Sequence, residues 1–362
     1  MIQLGIITLT PDQPSSYFNE LAGLSPDSGV SVYLFSPLHI QPGSENVSGY
    51  RFHQGTNQWI HDSFSIPSFL YDRCLYGETK ESKDAKAIVS WLKAREDITF
   101  LGYGLPNKWS LYEKLIPASD ISPYLPITRK VSSPEQIVDA AIKYKEVIIK
   151  PINGAHGFAV YLIEYDQHIL TIKTTKNGKL VSRTVSDPKD AIPFFEKLLL
   201  KHIFILQPRL NNLNESGHPF DLRVFLQKDE NGKWMERARG IRTGQKDGIL
   251  TNLSAGADII SFEEWKNSVS NYNIPFIDNE INEVLDKLPH ILEKQFYPLF
   301  ELGIDLIIAK DHSIWIIDMN SKPGRKLVAM TNPQELETLY KAPLSYCKFL
   351  ANNKAVNFEK TK

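Results

Sequence analysis

The chain has 362 residues, 42% of them hydrophobic and 23% charged, with 41 Lys+Arg against 42 Asp+Glu and a formal net charge of −1. That length supports two or three modules, because single cores seldom grow beyond roughly 250 residues, and the balanced charge argues against nonspecific binding to nucleic acid or to an anionic membrane. The two cysteines, Cys74 and Cys347, have no metal-binding or Cys-x-x-Cys spacing, MIQLGIITLT carries no basic leader, and no apolar run reaches membrane-spanning length, so a cytoplasmic protein in a reducing compartment is expected.

Ile2 to Leu9, Ser31 to Ser36, Ile66 to Tyr71 and Ile98 to Gly102 are short apolar or β-branched segments, and Glu81 to Arg95 between them is helix-compatible. Strands alternating with helices predict a small α/β domain over residues 1–105 with a mainly parallel sheet. Asp72 and Arg73 follow one of these strands, where they either face a substrate crevice or form a surface ion pair.

Leu105 and Pro106 break the pattern, and Asn107 is placed to cap a helix running from Lys108 through Leu115. A lysine in the first turn opposes the helix dipole, which makes Lys108 a candidate phosphate ligand, although solvated lysines also occur there. A helix over Pro134 to Tyr144 and a strand over Val147 to Lys150 lead into IIKPINGAHGFAV, Ile148 to Val160. Here a strand carries Lys150 to a loop containing Gly154 and Gly157, and Phe158 to Ile163 returns from it. Glycines let backbone N–H groups approach an anion, although a hairpin that merely turns the chain competes with this reading.

Tyr161 to Arg183 reads as strands turning at Lys176 to Lys179, followed by a helix over Pro188 to Lys201 and an apolar strand, Ile203 to Leu210. Pro208 stops ladder pairing, so that strand is an edge or passes straight into a connection, and its free backbone groups suit an adenine edge. Asp221 to Leu226 is a strand with Asp221 and Arg223 on one face, Trp234 to Arg242 is the next, and Thr251 to Gly256 is a polar loop. From Asp278 to Leu302 the apolar positions fall at helical spacing and read as core, with Pro289 kinking or dividing the helix.

Gly303 to Gly324 forms the most informative stretch. Ile304 to Ala309 and Ile314 to Met319 are strands joined by the polar turn Lys310 to Ser313. A turn centred between Asp311 and His312 sets Asp305 opposite Asp318, Ile307 opposite Ile316 and Ala309 opposite Ile314, with Asn320 on the acids' face. Ile304, Leu306, Ile308, Trp315, Ile317 and Met319 then form a buried apolar face. Facing carboxylates repel unless a cation lies between them, and hard oxygen ligands suit Mg²⁺; an exposed hairpin with scattered acids is the plainer alternative.

This ordered series, from Lys108 to Lys326 and ending in GIDL…DMNSKPG, resembles the ATP-grasp superfamily, in wording closest to its YheC/YheD endospore coat-associated branch. The resemblance implies an α+β ATP-grasp fold, two α+β lobes holding a nucleotide, preceded by the small α/β domain. The implied boundaries are 106–205 for the nucleotide-binding lobe and 206–350 for the metal-binding lobe, with 351–362 a fraying tail. It implies ATP and one or two Mg²⁺ ions, with Asp305, Asp318 and Asn320 as metal ligands. It also implies nucleotide contacts from Lys108, Lys150, Gly154, Ala155, His156, Gly157, Gln207, Pro208 and Arg209, and catalytic groups in Arg223, Arg242 and Asn252. Two departures stand out: Asp318 where the family usually has glutamate, and Pro208 where related ligases carry an acid. The implied activity is carboxylate–amine ligation through an acylphosphate, acting on a small-molecule or peptide carboxylate. The acceptor pocket is expected from Asp72 and Arg73 together with Arg325 and Lys326. A coat-associated protein that retains ATP without using it, and phosphotransfer to a hydroxyl, are the rival readings.

Overall fold

The computed structural model describes residues 2–41, 43–154, 157–176, 178–246, 248–249, 251 and 258–360, and three sheets form among them. The first contains β1 (Ile2–Ile7), β2 (Val30–Phe35), β3 (Asn46–His53), β4 (Gln58–Ser65), β5 (Phe69–Asp72) and β6 (Thr99–Phe100), in the order β4-β3-β2-β1-β5-β6. Helices α1 (Ser16–Gly23) and α2 (Lys80–Lys93) lie in two of its crossovers, each capped by a hydroxyl, Ser15 and Thr79. β1 runs parallel to β2 and β5, and β5 parallel to β6, as the apolar segments predict. The antiparallel β3–β4 hairpin was not predicted. It is half-exposed, and residues such as Ser48, Arg51, His61 and Asp62 dilute its apolar signal.

After α3 (Lys108–Leu115), the second sheet is built from β7 (Arg129–Lys130), β8 (Glu146–Pro151), β9 (Tyr161–Asp166), β10 (Ile169–Lys176), β11 (Lys179–Val185) and β12 (Phe204–Pro208), in the order β11-β10-β9-β8-β12-β7. Helices α4 (Pro134–Tyr144) and α5 (Ile192–Leu199) bury Ile137, Val138, Ala141 and Phe195 against Val147, Ile149, Ile163 and Phe204. The two-residue β7 pairs only with Ile205 and Leu206. Gln207 and Pro208 therefore run past it, which accommodates the proline's missing N–H.

The third sheet holds β13 (Phe220–Lys228), β14 (Trp234–Thr243), β15 (Asp258–Ser261), β16 (Glu301–Ile308) and β17 (Ile314–Asn320), in the order β15-β14-β13-β16-β17. Helices α6 (Phe262–Ser268) and α7 (Ile274–Gln295) precede β16, while α8 (Lys326–Thr331) and α9 (Leu336–Lys360) follow β17. One face packs Leu222, Val224, Ile304, Leu306 and Ile316 against Ile277, Ile281, Val284, Leu288 and Leu292 of α7. Burying a side chain of this size contributes roughly 1.5–3 kcal/mol, which holds α7 undivided with Pro289 inside it. The helix predicted to reach Leu302 ends at Gln295, and strand begins at Glu301. α9 lays Leu339, Ala342, Tyr346 and Cys347 into the core of the first sheet. Among the described residues no helix is long and apolar enough to cross a membrane.

The β16–β17 hairpin corrects one expectation. Asp305 does pair with Asp318, but Leu306 then pairs with Ile316, Ile307 with Trp315 and Ile308 with Ile314, so Ile317 is a bulged residue. Ala309 and Ser313 close a three-residue loop, with His312 at φ 69°. The bulge reverses the side-chain parity of the strand's first half. Ile314 and Ile316 therefore enter the core in place of Trp315 and Ile317.

Candidate active site

The face of the third sheet opposite α7 carries a ladder of charges. Adjacent strands place Arg223 beside Asp305 and Asp305 beside Asp318, with Asp221 beside Arg242 one step along. Arg223 Nη1 bonds Asp305 Oδ1, and Arg242 Nη2 reaches the same oxygen at 3.0 Å. Arg242 also grips Asp221 with both arms, Nε to Oδ1 and Nη2 to Oδ2 at 2.7 Å each, while Thr251 donates to Asp221 Oδ2. Burial opposes a charge on Asp305, but Arg223 and Arg242 outweigh it and hold the carboxyl at about 2. Asn320, with its amide oxygen toward Arg223, accepts from Nη2 at 2.8 Å. Gly303 stands where this contact needs space: a Cβ there would lie 3.0 Å from the Asn320 amide and 3.1 Å from Arg223 Nη2.

Two lysines reach this face from the other side of a cleft. Asn107 caps α3 by accepting from Ser110 N at 3.0 Å, and Lys108 N donates to Ile152 O at 3.2 Å, which sets the first turn of α3 beside the end of β8. From there Lys108 Nζ bonds Asp318 Oδ1, and Lys150 Nζ donates to the carbonyl of the bulged Ile317 at 2.8 Å. Burial and the Lys108 charge lower Lys150 to about 8, against the opposing pull of Asp318 and Asp305. The cavity between these groups measures about 40 Å³, and its lining includes Lys108, Lys150 and Asp318 together with Leu125, Ile205 and Met319. That volume holds a water molecule. A triphosphate enters only if the lysines leave Asp318 and Ile317 or the second and third sheets part.

The structure thus brings together Lys108, Lys150, Arg223, Arg242, Asp305, Asp318 and Asn320. Gln207 lines the same cavity, whereas Arg209 Nη1 is engaged by Glu146 at 3.0 Å and Glu164 at 3.7 Å. Gly154 follows β8 in the loop expected to hold phosphate, and Gly157 has φ 75°, a conformation only glycine adopts readily. Ala155, His156 and Asn252 lie outside the described residues. Asp221 and Thr251 fix Arg242; the strand periodicity places Asp221 on the face of Arg223 and Thr251 in a polar loop but assigns neither a role.

Three residues expected to line the acceptor pocket, Asp72, Arg73 and Arg325, are engaged by the chain's own groups. Asp72 accepts from Lys322 at 2.7 Å and Lys93 at 3.4 Å. Arg73 bonds Glu301 Oε2 at 2.8 Å, and Arg325 bonds Glu301 Oε1 at 3.2 Å and the Tyr71 hydroxyl at 2.8 Å. Lys326 begins α8.

Among the described residues no three His, Cys, Asp or Glu side chains form a metal-ligating cluster. Asp305, Asp318 and Asn320 nevertheless offer hard oxygen donors on neighbouring strands, a set whose chemistry fits Mg²⁺ better than a softer ion.

Residues 97–350 match the family described as YheC/D like ATP-grasp. The endospore coat-associated protein YheC of Bacillus subtilis (strain 168) is 36% identical over 350 residues, covering 97% of this chain and 96% of that protein. Among solved structures, the Chryseobacterium gregarium RiPP-associated ATP-grasp ligase in complex with ADP and a leader and core peptide superposes with TM-score 0.51, at 17% identity and with 98% and 97% of the two chains covered. The ATP-grasp ligase PsnB complexed with minimal precursor, Mg and ADP gives TM-score 0.53, at 14% identity with 95% and 98% covered. Cleft lysines facing a ladder of acids and arginines, on this sheet topology and with this extent of match, place the chain in the YheC/D-like ATP-grasp family.

Proposed function

We propose that the chain is an ATP-dependent carboxylate–amine ligase working through an acylphosphate. The observation that carries this reading is the convergence of Lys108 and Lys150 from one side of the cleft on Asp318 and Ile317 of the other, beside Arg223 and Arg242. In this reading residues 106–205 are the nucleotide lobe and 206–350 the catalytic lobe, with 1–105 as the preceding domain and 351–362 as a terminal tail.

Asp305, Asp318 and Asn320 would hold Mg²⁺, which when bound neutralises charge on the β- and γ-phosphates. Lys108 and Lys150 would exchange their present acceptors for phosphate oxygens. Gly154 and Gly157 support a backbone cradle. Arg223 and Arg242 would lie over the group in transfer, and Asp221 and Asp305 hold Arg242 protonated against the cost of burial. A substrate carboxylate oxygen attacks the γ-phosphorus and the bond to ADP breaks. An amine then attacks the acyl carbon, phosphate leaves, and the amine's proton passes to solvent. No nucleophilic side chain is required, so catalysis consists of positioning and charge neutralisation.

The Chryseobacterium gregarium ligase is seen with a leader and core peptide and PsnB with a minimal precursor, which supports a peptide or small-molecule carboxylate here; the likeness to YheC supports a setting in endospore formation. The test incubates the protein with MgATP and pooled carboxylates and amines. ADP and phosphate released in equal amounts, with an amide product by mass spectrometry, are expected. Thermal stabilisation by MgATP with no ADP would favour a coat-associated ATP-binding protein. A phosphorylated product would favour transfer to a hydroxyl.

A further inference from the structure

Among the described residues the sheets end in β4, β6, β7, β11, β15 and β17. An edge strand invites pairing with another chain, and short length, basic side chains and bulges discourage it. β6 and β7 are two residues long and β15 is four, β11 carries Lys179 and Arg183, and β17 is bulged at Ile317 and met there by Lys150. β4 has none of these defences. Gln58–Ser65 runs for eight residues, pairs with β3 without a shift in register, and contains no lysine, arginine, proline or glycine. At its middle, Ile60 is 45% exposed.

The register settles which main-chain groups point outward. Ile66 N donates to Glu45 O at 3.1 Å, one step beyond the pair Asn46 and Ser65, so hydrogen-bonded pairs alternate back along the hairpin as Val47 with Phe64, Gly49 with Asp62, Arg51 with Ile60 and His53 with Gln58. The N–H and C=O of Trp59, His61, Ser63 and Ser65 therefore face away from β3. Asp62 Oδ1 accepts from Ser63 N at 2.8 Å, which closes the edge at that point. Asn57, at φ 55°, ends it at the other. The open stretch is Gln58 to Asp62.

We infer that this stretch pairs with the same stretch of a second copy of the chain, antiparallel about a two-fold axis through Ile60. Such an axis stands perpendicular to the sheet, so outward-facing residues meet outward-facing residues. Centred on Ile60, Trp59 and His61 of each copy exchange main-chain hydrogen bonds with His61 and Trp59 of the other. Ile60 packs on its own copy instead of facing water, and Gln58 lies across from Asp62, whose carboxylate accepts from the amide. The other registers fail. Centring on Trp59 sets His61 against Asn57, outside the strand. Centring on His61 sets Trp59 against the spent N–H of Ser63, and Ile60 against a carboxylate. Centring on Asp62 sets like charges face to face. The paired stretch is short against the roughly 1,200–2,000 Å² that a stable interface buries, so the dimer should form with a Kd of about 10–100 µM.

Sedimentation velocity of the full chain over a concentration series spanning that range tests the association, and cysteine cross-linking tests the register. Directly opposed residues of a non-hydrogen-bonded pair stand about 4.5 Å apart at Cα, within disulfide reach. Ile60→Cys should therefore cross-link two copies on mild oxidation, whereas His61→Cys, which meets Trp59 and not itself, should not. The native Cys74 and Cys347 are buried and leave the readout clear. Ile60→Lys sets like charges across the axis and should abolish the dimer while melting as cooperatively as the parent, since its side chain replaces an exposed one. A monomer throughout the series overturns the inference and leaves the edge to a strand of another protein. A dimer that survives Ile60→Lys, or one that cross-links through His61→Cys and not Ile60→Cys, overturns it as well.

Discussion

Two groups of buried carboxylates differ in what answers them. At the joint between the first and third sheets, Asp72 and Glu301 are 2% and 1% exposed at their side chains; in the cleft, Asp305 and Asp318 are 9% and 33% exposed. Every partner at the joint is itself fixed: Arg325 lies over the Tyr17 ring at 3.3 Å, Lys322 over Tyr76 at 4.7 Å, and Gln227 reaches Glu301 at 3.1 Å. Burial opposes the charge on Asp72, yet Lys322 and Lys93 pull its carboxyl below the ordinary range. In the cleft, Arg223 and Arg242 are held by the strand ladder, but Lys108 and Lys150 reach over on long stems from a different sheet. A charge answered wholly by packed neighbours holds domains together. One answered across a gap can exchange its partner for a ligand.

Asp318→Asn should break the cleft and spare the joint. Losing this charge opposite Lys108 should lower kcat for ADP release about 10²–10³-fold, with a shift in denaturation midpoint small enough to ignore, because Asp318 is the most exposed of the four carboxylates. Unchanged ADP release would remove the acid from the catalytic set. Glu301→Gln should do the reverse. It leaves Arg73 and Arg325 without a counter-charge in the interior and should cost about 3 kcal/mol in urea unfolding, with MgATP affinity retained at temperatures where the variant is folded. A fall in nucleotide affinity without a fall in stability would erase the distinction between the two regions.

The same distinction explains what the sequence could and could not reveal. Asp305 opposite Asp318, the Asn107 cap and the alternation of Asp221 with Arg223 follow from local periodicity and were legible. The bulge at Ile317 was not, since nothing in DLIIAKDHSIWIID tells which residue leaves the ladder; packing against α7 decides that. Yet the bulge frees the carbonyl that receives Lys150. For Asp72 and Arg73 both a substrate-facing role and an ion pair were open, and spacing could not identify the partners that they and Arg325 have, because those lie far away in the chain. Arg73 meets Glu301 228 residues on, and pairing at that range is invisible to spacing.

Titration sharpens the cleft side. Lys150 is lowered from its ordinary 10.5 to about 8 by burial and by Lys108, so it loses its proton as pH rises through 8. Nucleotide affinity should fall about tenfold per pH unit above that point. Over the window from 8 to 10.5 the unfolded chain binds more protons at this residue than the folded one, so Lys150 makes the fold more stable as pH rises. Weakening affinity alongside a constant or rising melting temperature would identify local titration rather than unfolding. Lys150→Arg, whose guanidinium stays charged, should move the loss of affinity to higher pH.

The smallest expected effect probes the seam between the two regions. Gly303 is centred on the same strand face, between Glu301 of the joint and Asp305 of the cleft, and pairs with Phe225 and Asn320. A methyl group there meets the Asn320 amide and Pro323 Cβ at 3.0 Å and Arg223 Nη2 at 3.1 Å. These contacts require shifts of a few tenths of an ångström. Such overpacking should cost about 1 kcal/mol, far less than Glu301→Gln. Because the displaced groups are Arg223 and Asn320, Gly303→Ala should lower kcat several-fold while the KM for nucleotide, set on the lysine side of the cleft, stays within about twofold. A rise in KM with kcat intact would mean that Arg223 and Asn320 serve nucleotide binding rather than the transfer step.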